Sequence, residues 1–186
     1  MSKSADKVLL FVLVALISAA VVGGILDAVQ NGSEESQHLL AKGAPAPAFT
    51  AIRHADKQPV KSEDLKGKVV VLDFWGTWCG PCRAEAPVVR NLANAYASQG
   101  VVVLAMNSDG TGDGPESPEE VQQFLDAAKL ADYPVVYPQR SALADFKVES
   151  FPTLYVIGRD GKVAFRDVGE VSERRLREAI DAALKG

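Results

Sequence analysis

Residues 69–87 read VVVLDFWGTWCGPCRAEAP and join a predicted strand to a predicted helix. The stretch opens with an apolar, largely β-branched run, which is typical of a strand buried on both faces of a sheet. Asp73 then interrupts this run with a carboxylate. Cys79 and Cys82, the only two cysteines of the chain, follow where the strand gives way to a helix. This stretch therefore carries the strongest chemical signal in the sequence.

The sequence Cys-Gly-Pro-Cys at residues 79–82 suits reversible disulfide chemistry. Residues three apart share one face of a helix, about 5–6 Å from each other, which is within the reach of a disulfide. Cys79 would begin the helix, where free backbone N–H groups and the helix dipole lower cysteine pKa values to about 3.5–7.5. Pro81 suits an early helical position because its missing N–H costs nothing there. We expect Cys82 to be the covered partner and Trp78 to lie as an apolar lid beside the reactive sulfur.

A structural bridge and a zinc site are weaker interpretations of the cysteine pair. A bridge across so short a loop stabilises a fold by only about 1–2 kcal/mol, and it leaves Asp73 and the flanking aromatics without a role. A zinc site needs four ligands, of which this pair supplies two. The two histidines, His38 and His54, lie in a predicted tether and a predicted hairpin. The pattern therefore favours a redox couple and no metal.

The composition is that of a globular protein. The 186 residues are 47% hydrophobic and 24% charged, with a formal net charge of -4. These fractions exclude a disordered chain, and the lack of a basic stripe argues against nucleic-acid binding. One pair of cysteines cannot form a disulfide scaffold.

The N-terminal sequence predicts export. Residues 8–26 contain no charged side chain, and about 20 apolar residues are needed to cross a bilayer. Lysines in a predicted cytoplasmic tail, residues 1–7, and acidic residues after the run orient the rest of the chain outward. A cleaved signal peptide is the alternative, with Ser18-Ala19-Ala20 as its cleavage site. We favour a single transmembrane anchor followed by a tether at 27–42, because the apolar run continues past that site.

The rest of the chain predicts an α/β sandwich, with the element order βαβα(β)αββα and helices on both faces of a mixed sheet. The predicted strands are 49–53, 59–61, 69–72, 101–106, 135–137, 153–157 and 163–168. The predicted helices are a single turn at 62–65, a helix from Cys82 to about Gln99, and helices at 118–130, 142–146 and 172–185. Asp160-Gly161 between two alternating runs is a strong hairpin signal.

Residues 109–120 have the spacing of a calcium-binding loop. Against this, Thr111 occupies a ligand position and Glu116 stands where an apolar residue is usual. Ser117 and Glu120 also form a complete capping box around a proline at the first helical position, which accounts for the glutamate without a metal. We therefore expect an acidic loop rather than a calcium site.

Residues 74–82, FWGTWCGPC, with Pro87 five positions on, resemble the active-site signature of the thioredoxin superfamily. The lead-in at 43–68, the segment RAEAP at 83–87 and the predicted anchor are similar to the membrane-anchored TlpA/ResA branch. The resemblance implies a thioredoxin fold for residues 43–186, with an N-terminal hairpin extension and a single N-terminal transmembrane helix.

The resemblance also implies roles for individual residues. Cys79 would be the attacking thiol and Cys82 the resolving thiol. The residues implied to support this pair are Trp78, Gly80, Pro81 and Glu85. Phe151, Pro152 and Thr153 match the family's cis-proline segment, where substrate main chain pairs. From the residues alone, a proline that begins a strand is equally a trans proline at a sheet edge.

Two acidic residues are candidates for supporting roles. Asp73 has apolar neighbours, so we expect it to be buried with a raised pKa and to accept the proton of Cys82, directly or through water. The alternative is a carboxylate that reaches solvent at the strand edge. Thioredoxins carry Asp here, whereas the TlpA/ResA branch often carries Asn, which favours a reducing, thioredoxin-like role. Glu85 either lines the site or lies on an exposed helix face.

The implied function is that of a protein-disulfide oxidoreductase anchored in the bacterial cytoplasmic membrane, with its catalytic domain on the periplasmic side. We expect it to reduce disulfides in exported proteins such as apocytochrome c, without a cofactor and without nucleic acid. The resemblance implies that a membrane electron carrier of the DsbD/CcdA type reduces it in turn.

Two other functions stay open. A thiol peroxidase of the peroxiredoxin kind would carry Thr or Ser three positions before its peroxidatic cysteine, where this chain has Gly76. A copper-binding assembly factor would space its cysteines CxxxC and place a histidine downstream, and no histidine follows His54. The sequence favours neither function over thiol–disulfide exchange.

Overall fold

The computed structural model describes residues 39–108 and 117–186. Its strands are β1 (Thr50–Arg53), β2 (Pro59–Lys61), β3 (Val69–Trp75), β4 (Val101–Asn107), β5 (Val135–Pro138), β6 (Thr153–Ile157) and β7 (Val163–Val168). Its helices are α1 (Gly80–Tyr96), α2 (Pro118–Ala128), α3 (Ser141–Asp145) and α4 (Glu173–Lys185), with 3₁₀ turns at Ser62–Leu65 and Ala97–Gln99. This order confirms the alternation of elements that the sequence predicted.

Several sequence predictions concern residues outside these ranges. They are the tail at 1–7, the anchor at 8–26, most of the tether and most of the candidate calcium loop. Within residues 39–108 and 117–186, no helix combines the length and the apolar character needed to cross a bilayer. The anchor therefore stays a prediction.

The seven strands form one mixed sheet in the order β2-β1-β5-β4-β3-β6-β7. β3 is parallel to β4 and antiparallel to β6, and all of its residues are buried. This burial on both faces explains why its sequence is apolar nearly throughout. The hairpin of β1 and β2 extends the sheet at one edge, through antiparallel pairing of β1 with β5. The predicted mixed sheet and hairpin extension are confirmed.

Alternate residues of β3 point to opposite faces of the sheet, and each face has its own core. On one face, Val71 and Trp75 pack with both cysteines and with residues of α1, α2 and α4. Asp73 lies between Val71 and Trp75 in this alternation, so its carboxylate points toward the same helices. The carboxyl group of Asp73 in β3 thus lies in the core on the same side of the sheet as the cysteine pair.

The other face is covered by α3 and by the N-terminal residues of the described chain. Leu72 and Phe74 pack there with Leu143 of α3 and with Leu39. Leu39 is 5% exposed, so the packed part of the chain extends to the N-terminal side of Gly43. Helices therefore cover both faces, as the sequence predicted.

Helix α1 begins directly after Cys79, which is its N-cap residue, and it continues through Pro87. The buried residues of the helix recur at helical spacing along one face: Cys82, Glu85, Ala86, Val89, Leu92 and Tyr96. A 3₁₀ turn follows and ends at Gly100, whose φ of 78° lies in the left-handed region that glycine favours.

Helix α2 starts with the predicted capping box. The Glu120 N–H donates to Ser117 Oγ at 3.3 Å, and the Ser117 N–H donates to Glu120 Oε2 at 2.6 Å. Glu120 therefore has the structural role that the sequence favoured. The helix ends at Ala128, before the predicted Leu130, because Lys129 adopts a left-handed conformation with φ 57°.

Candidate active site

Cys79 and Cys82 are joined by a disulfide, with their Cα atoms 5.3 Å apart. Cys79 adopts an extended conformation at the N-cap of α1, and Cys82 lies in the first turn. The Cys82 N–H donates to Cys79 Sγ at 3.3 Å. The sulfur of Cys79 therefore sits where backbone N–H groups and the helix dipole would stabilise a thiolate after reduction.

The segment before β6 lies at the same end of the sheet as the cysteine pair. The peptide bond between Phe151 and Pro152 is cis, which confirms the expectation from the resemblance. β6 runs antiparallel to β3 with Thr153 opposite Phe74, so Pro152 falls beside the end of β3 that leads to Cys79. The Thr153 hydroxyl donates to the backbone carbonyl of Ser150 at 2.7 Å and closes the turn.

Trp78 connects the cysteine pair with this segment. Its side chain is 53% exposed, and its ring meets the ring of Phe151 edge to face with the centroids 5.3 Å apart. Trp78 and Phe151 form an apolar surface next to the disulfide.

Asp73 is 2% exposed, so the alternative of a solvent-facing carboxylate is wrong. Burial raises the pKa of Asp73 to about 6, and a hydrogen bond from the Tyr133 hydroxyl to Oδ2 at 2.8 Å partly offsets the effect of burial. Among the described residues, Oδ1 has no hydrogen-bond partner. The predicted burial and raised pKa are confirmed, and one carboxylate oxygen is free to accept a proton.

Glu85 is also buried, with 2% of its side chain exposed, so the alternative of an exposed helix face is wrong. Oε1 accepts a hydrogen bond from the Val171 N–H at 2.9 Å. The pKa of Glu85 is raised to about 8, chiefly by burial and then by the nearby charge of Asp73, while the bond from Val171 acts to lower it. Two buried carboxyl groups therefore lie on the side of β3 that α1, α2 and α4 cover, and they influence each other's ionisation.

Sequence reasoning missed Tyr133 and Val171. Tyr133 is 5% exposed and packs in the core cluster that holds both cysteines, and its hydroxyl meets Asp73 across a large sequence separation. Burial and the neighbouring Asp73 raise the pKa of Tyr133 well above its ordinary value. No local pattern marks either residue, because both reach the site only through the tertiary fold.

The imidazole of His54 makes hydrogen bonds to other side chains of the protein and is not placed as a ligand of a metal. Its Nδ1 lies 2.5 Å from the Tyr137 hydroxyl, and its Nε2 lies 2.7 Å from Gln122 Oε1. Both ring nitrogens thus have protein partners. Within the described part of the chain, no three His, Cys, Asp or Glu side chains are grouped so that they could hold a metal ion.

Comparison with known proteins places this site in a family. The family described as Redoxin matches residues 41–184. The chain is 32% identical over 163 residues to the thiol-disulfide oxidoreductase ResA of Bacillus subtilis, covering 87% of this chain and 84% of that protein. It is 30% identical to the thioredoxin-like protein YneN of Bacillus subtilis, covering 76% of this chain and 80% of that protein.

A solved structure supports the same family assignment. The fold matches that of a thiol:disulfide interchange protein, a thioredoxin family protein from Chlorobium tepidum, with a TM-score of 0.65 and 26% identity. The match covers 78% of this chain and 98% of the other. The fold, the bonded cysteine pair and the relatives agree, and the chain belongs to the redoxin family, in the TlpA/ResA branch of the thioredoxin superfamily, as a thiol–disulfide oxidoreductase.

Proposed function

We propose that this oxidoreductase reduces disulfides in exported proteins, with Cys79 as the attacking thiol and Cys82 as the resolving thiol. The observation that carries the proposal is Asp73, a buried carboxyl group with a raised pKa, on the side of the sheet that holds both cysteines; one of its oxygens has no hydrogen-bond partner in the part of the chain that the structure describes. Such a group can accept a proton at neutral pH, and the resolving thiol must give up its proton before its sulfur can attack the mixed disulfide.

The first step begins from the reduced pair. The Cys79 thiolate at the N-terminus of α1 attacks one sulfur of the client disulfide. A bond forms between Cys79 Sγ and that sulfur, the client S–S bond breaks, and the other client sulfur leaves as a thiolate. The N-cap position supports this step because it stabilises the Cys79 thiolate.

The second step resolves the mixed disulfide. Cys82 gives its proton to Asp73, directly or through a water molecule, and its sulfur attacks Cys79 Sγ. The Cys79–Cys82 bond forms and the second client sulfur leaves as a thiolate, which takes up a proton from solvent or from Asp73. Two electrons have then passed from the enzyme dithiol to the client.

Phe151, Pro152 and Thr153 bind the client main chain in this proposal. Phe151 and Pro152 directly precede β6, which Thr153 begins, and the exposed ring of Trp78 adds an apolar contact. Gly80 and Pro81 complete the turn between the cysteines, and the exposed Gly80 leaves space for an approaching client. The surface is suited to an extended, disulfide-bearing chain rather than to a small molecule.

The proposed place of action is the outer side of the bacterial cytoplasmic membrane. Support comes from the uncharged run at 8–26, interpreted as a single-pass anchor. A membrane electron carrier of the DsbD/CcdA type would reduce the Cys79–Cys82 disulfide after each turnover. Apocytochrome c, whose haem-site cysteines must be reduced, is the proposed client.

The test is a trap in living cells. A Cys82→Ser variant cannot resolve the mixed disulfide, so its client stays linked to Cys79 and can be identified after non-reducing separation. We expect exported proteins with vicinal cysteines, apocytochrome c among them. The matched control is Cys79→Ser, which should trap no client. Capture of the electron donor alone would contradict the proposed reductant role.

A further inference from the structure

Two hydrogen bonds fix the connection between β7 and α4, residues 169–172, to neighbouring parts of the fold. The Gly169 N–H donates to the backbone carbonyl of Pro152 at 2.8 Å. Two residues later, the Val171 N–H donates to Glu85 Oε1 at 2.9 Å. Residues 169–171 therefore form a short bridge from the cis-proline segment to the carboxyl group of Glu85 on α1.

Glu85 is a costly residue at its position. An ionisable side chain in a core is unfavourable unless its hydrogen bonds are made, and an apolar residue of similar size would pack there without this cost. The bond to Val171 is the one that its carboxyl group makes within the described part of the chain, and Oε2 has no partner there. Val171 is 3% exposed, so loss of the carboxyl group would leave a buried N–H unpaired.

The other end of the bridge depends on Gly169. Its φ of 83° lies in the left-handed region, which side chains other than glycine adopt only with strain. An added Cβ would meet nothing within 4 Å, so the requirement is one of backbone conformation rather than space. This conformation aims the Gly169 N–H at the carbonyl of Pro152.

The two ties act on the segment that the proposed function assigns to client binding. Thr153 is already fixed by pairing with Phe74 and Val168. Pro152 precedes the strand and lies outside this pairing. Its position therefore depends on the hydrogen bond that the Gly169 N–H donates to its carbonyl, as well as on its link to Thr153. Movement of residues 169–171 would therefore shift Pro152 while the cysteines stay in place on α1.

We propose that Glu85 is a positioning residue, which holds the client-binding segment at Pro152 in register with Cys79 through Val171 and Gly169. This inference rests on the proposed function, because it needs protein clients to dock at Pro152. It predicts a specific defect when the acceptor for the Val171 N–H is removed: weaker binding of protein disulfides than in a variant that loses only the ionisable group.

The experiment compares two substitutions in the full chain, purified in mild detergent. Glu85→Met removes the acceptor at nearly constant volume, whereas Glu85→Gln keeps an oxygen that can accept from Val171. For reduction of insulin we expect Glu85→Met to raise KM about tenfold and Glu85→Gln to restore KM to within about twofold of the parent. For hydroxyethyl disulfide, which is too small to need the segment, Glu85→Met and Glu85→Gln should have kcat/KM values within about threefold of each other, because both remove the same ionisable group beside Asp73.

A second variant loosens the bridge from its other end. Gly169→Ala should raise KM for insulin by a similar factor, and the combination with Glu85→Met should raise it less than the product of the two single effects. Amide hydrogen exchange at Val171 gives a direct readout: Glu85→Met should lose protection there and Glu85→Gln should keep it. Urea unfolding of each variant verifies that it is folded.

The failures of the two proposals are distinguishable. If the parent reduces insulin and Glu85→Met and Gly169→Ala match its KM, the positioning role is refuted and the reductant role stands. If Glu85→Met is slower than Glu85→Gln by the same factor with both disulfides, the residue acts on the cysteines and the positioning role is again refuted. A parent chain that reduces hydroxyethyl disulfide but no protein disulfide would overturn both proposals.

Discussion

The Tyr133 hydroxyl donates a hydrogen bond of 2.8 Å to Oδ2 of Asp73, inside the core that also holds Cys79 and Cys82. This bond stabilises the ionised carboxylate and so lowers the pKa of Asp73 against the larger effect of burial, which raises it. Tyr133 thus sets how readily Asp73 can take a proton.

Replacement of Tyr133 by Phe should raise the pKa of Asp73 further, because it removes the hydrogen bond that lowers this pKa and leaves the effect of burial unopposed. The pH at which the mixed disulfide resolves at half its maximal rate should rise by about one unit, the size expected from losing a hydrogen bond to a charged group. Stopped-flow release of thiol from a Cys79 mixed disulfide, followed over a pH series, measures this.

Tyr96 supplies the matched control, because its hydroxyl donates at 2.8 Å to Asp181, in a bond that joins α1 to α4. Tyr96→Phe also removes a hydrogen bond from a tyrosine to an aspartate, yet it should leave the pH profile unchanged. An equal shift in both variants would show that the effect is general and does not pass through Asp73.

The pair of buried carboxyl groups predicts a fall in stability at high pH. The pKa values of Asp73 and Glu85 are raised by folding to about 6 and about 8, so the folded protein holds these protons more tightly than the unfolded chain. Their protonated forms therefore favour the folded state, and this stabilisation is lost as the pH rises from the ordinary carboxyl range through the raised values. Glu170 and Asp167 add to the rise at Glu85, and Arg175 pairs with Asp167.

Glu85→Gln should remove most of this dependence. The free energy of unfolding of the variant minus that of the parent should increase by about 1–3 kcal/mol as the pH rises from the acidic range to about 8. The size is set by both carboxyl groups, because they titrate as a pair. Urea unfolding of the oxidised protein at a series of pH values measures it. The exposed Glu63→Gln is the control, and a parent curve that is flat over this range would contradict the prediction.

The exposed ring of Trp78 should matter for clients more than for the fold. Trp78→Ala removes the contact with Phe151 and an aromatic surface of the kind that anchors protein interfaces, so KM for insulin should rise about tenfold. The free energy of unfolding should change by less than about 1 kcal/mol, because half of the side chain is already in solvent. Ile52→Ala, at another exposed large apolar residue, should leave KM unchanged, and an equal rise there would contradict a specific client surface.

Local patterns were sufficient to predict that a strand, the cysteine pair and a helix follow one another, although β3 extends to Trp75 rather than to Leu72 and α1 begins at Gly80 rather than at Cys82. The apolar run at 69–72, the two cysteines and Pro81 each carry their own signal over a few residues. The burial of Asp73 could be predicted because its neighbours in the sequence are apolar, although the sequence alone left open a carboxylate that reaches solvent at the strand edge. These predictions needed no knowledge of distant contacts.

The burial of Glu85 could have been predicted from the same kind of pattern. Glu85 lies three residues after Cys82 and four before Val89, and this spacing puts all three on one helix face. Since that face is apolar, the spacing already favoured a buried carboxyl group over an exposed one. Tyr133 and Val171 could not be found in this way, because their partners lie far away in sequence and meet them only after the sheet has formed.

Replacement of Asp73 by Asn tests the central chemical step. The amide keeps the shape and can accept from Tyr133, but it cannot take the proton of Cys82. Resolution of the mixed disulfide at neutral pH should slow by about a hundredfold, the lower end of what general-base catalysis contributes. The measurement is the rate of second thiol release in a single turnover of the reduced enzyme with insulin.

The first step supplies the internal control. In a Cys82→Ser background, attack by Cys79 should proceed at the same rate with Asp or Asn at position 73, because that step needs no proton from Cys82. In a chain that keeps Cys82, the Asn variant should accumulate the mixed disulfide that the parent resolves. If resolution proceeds at the parental rate, Cys82 loses its proton to solvent or to another group, and the raised pKa of Asp73 is then a consequence of its burial with no part in the exchange.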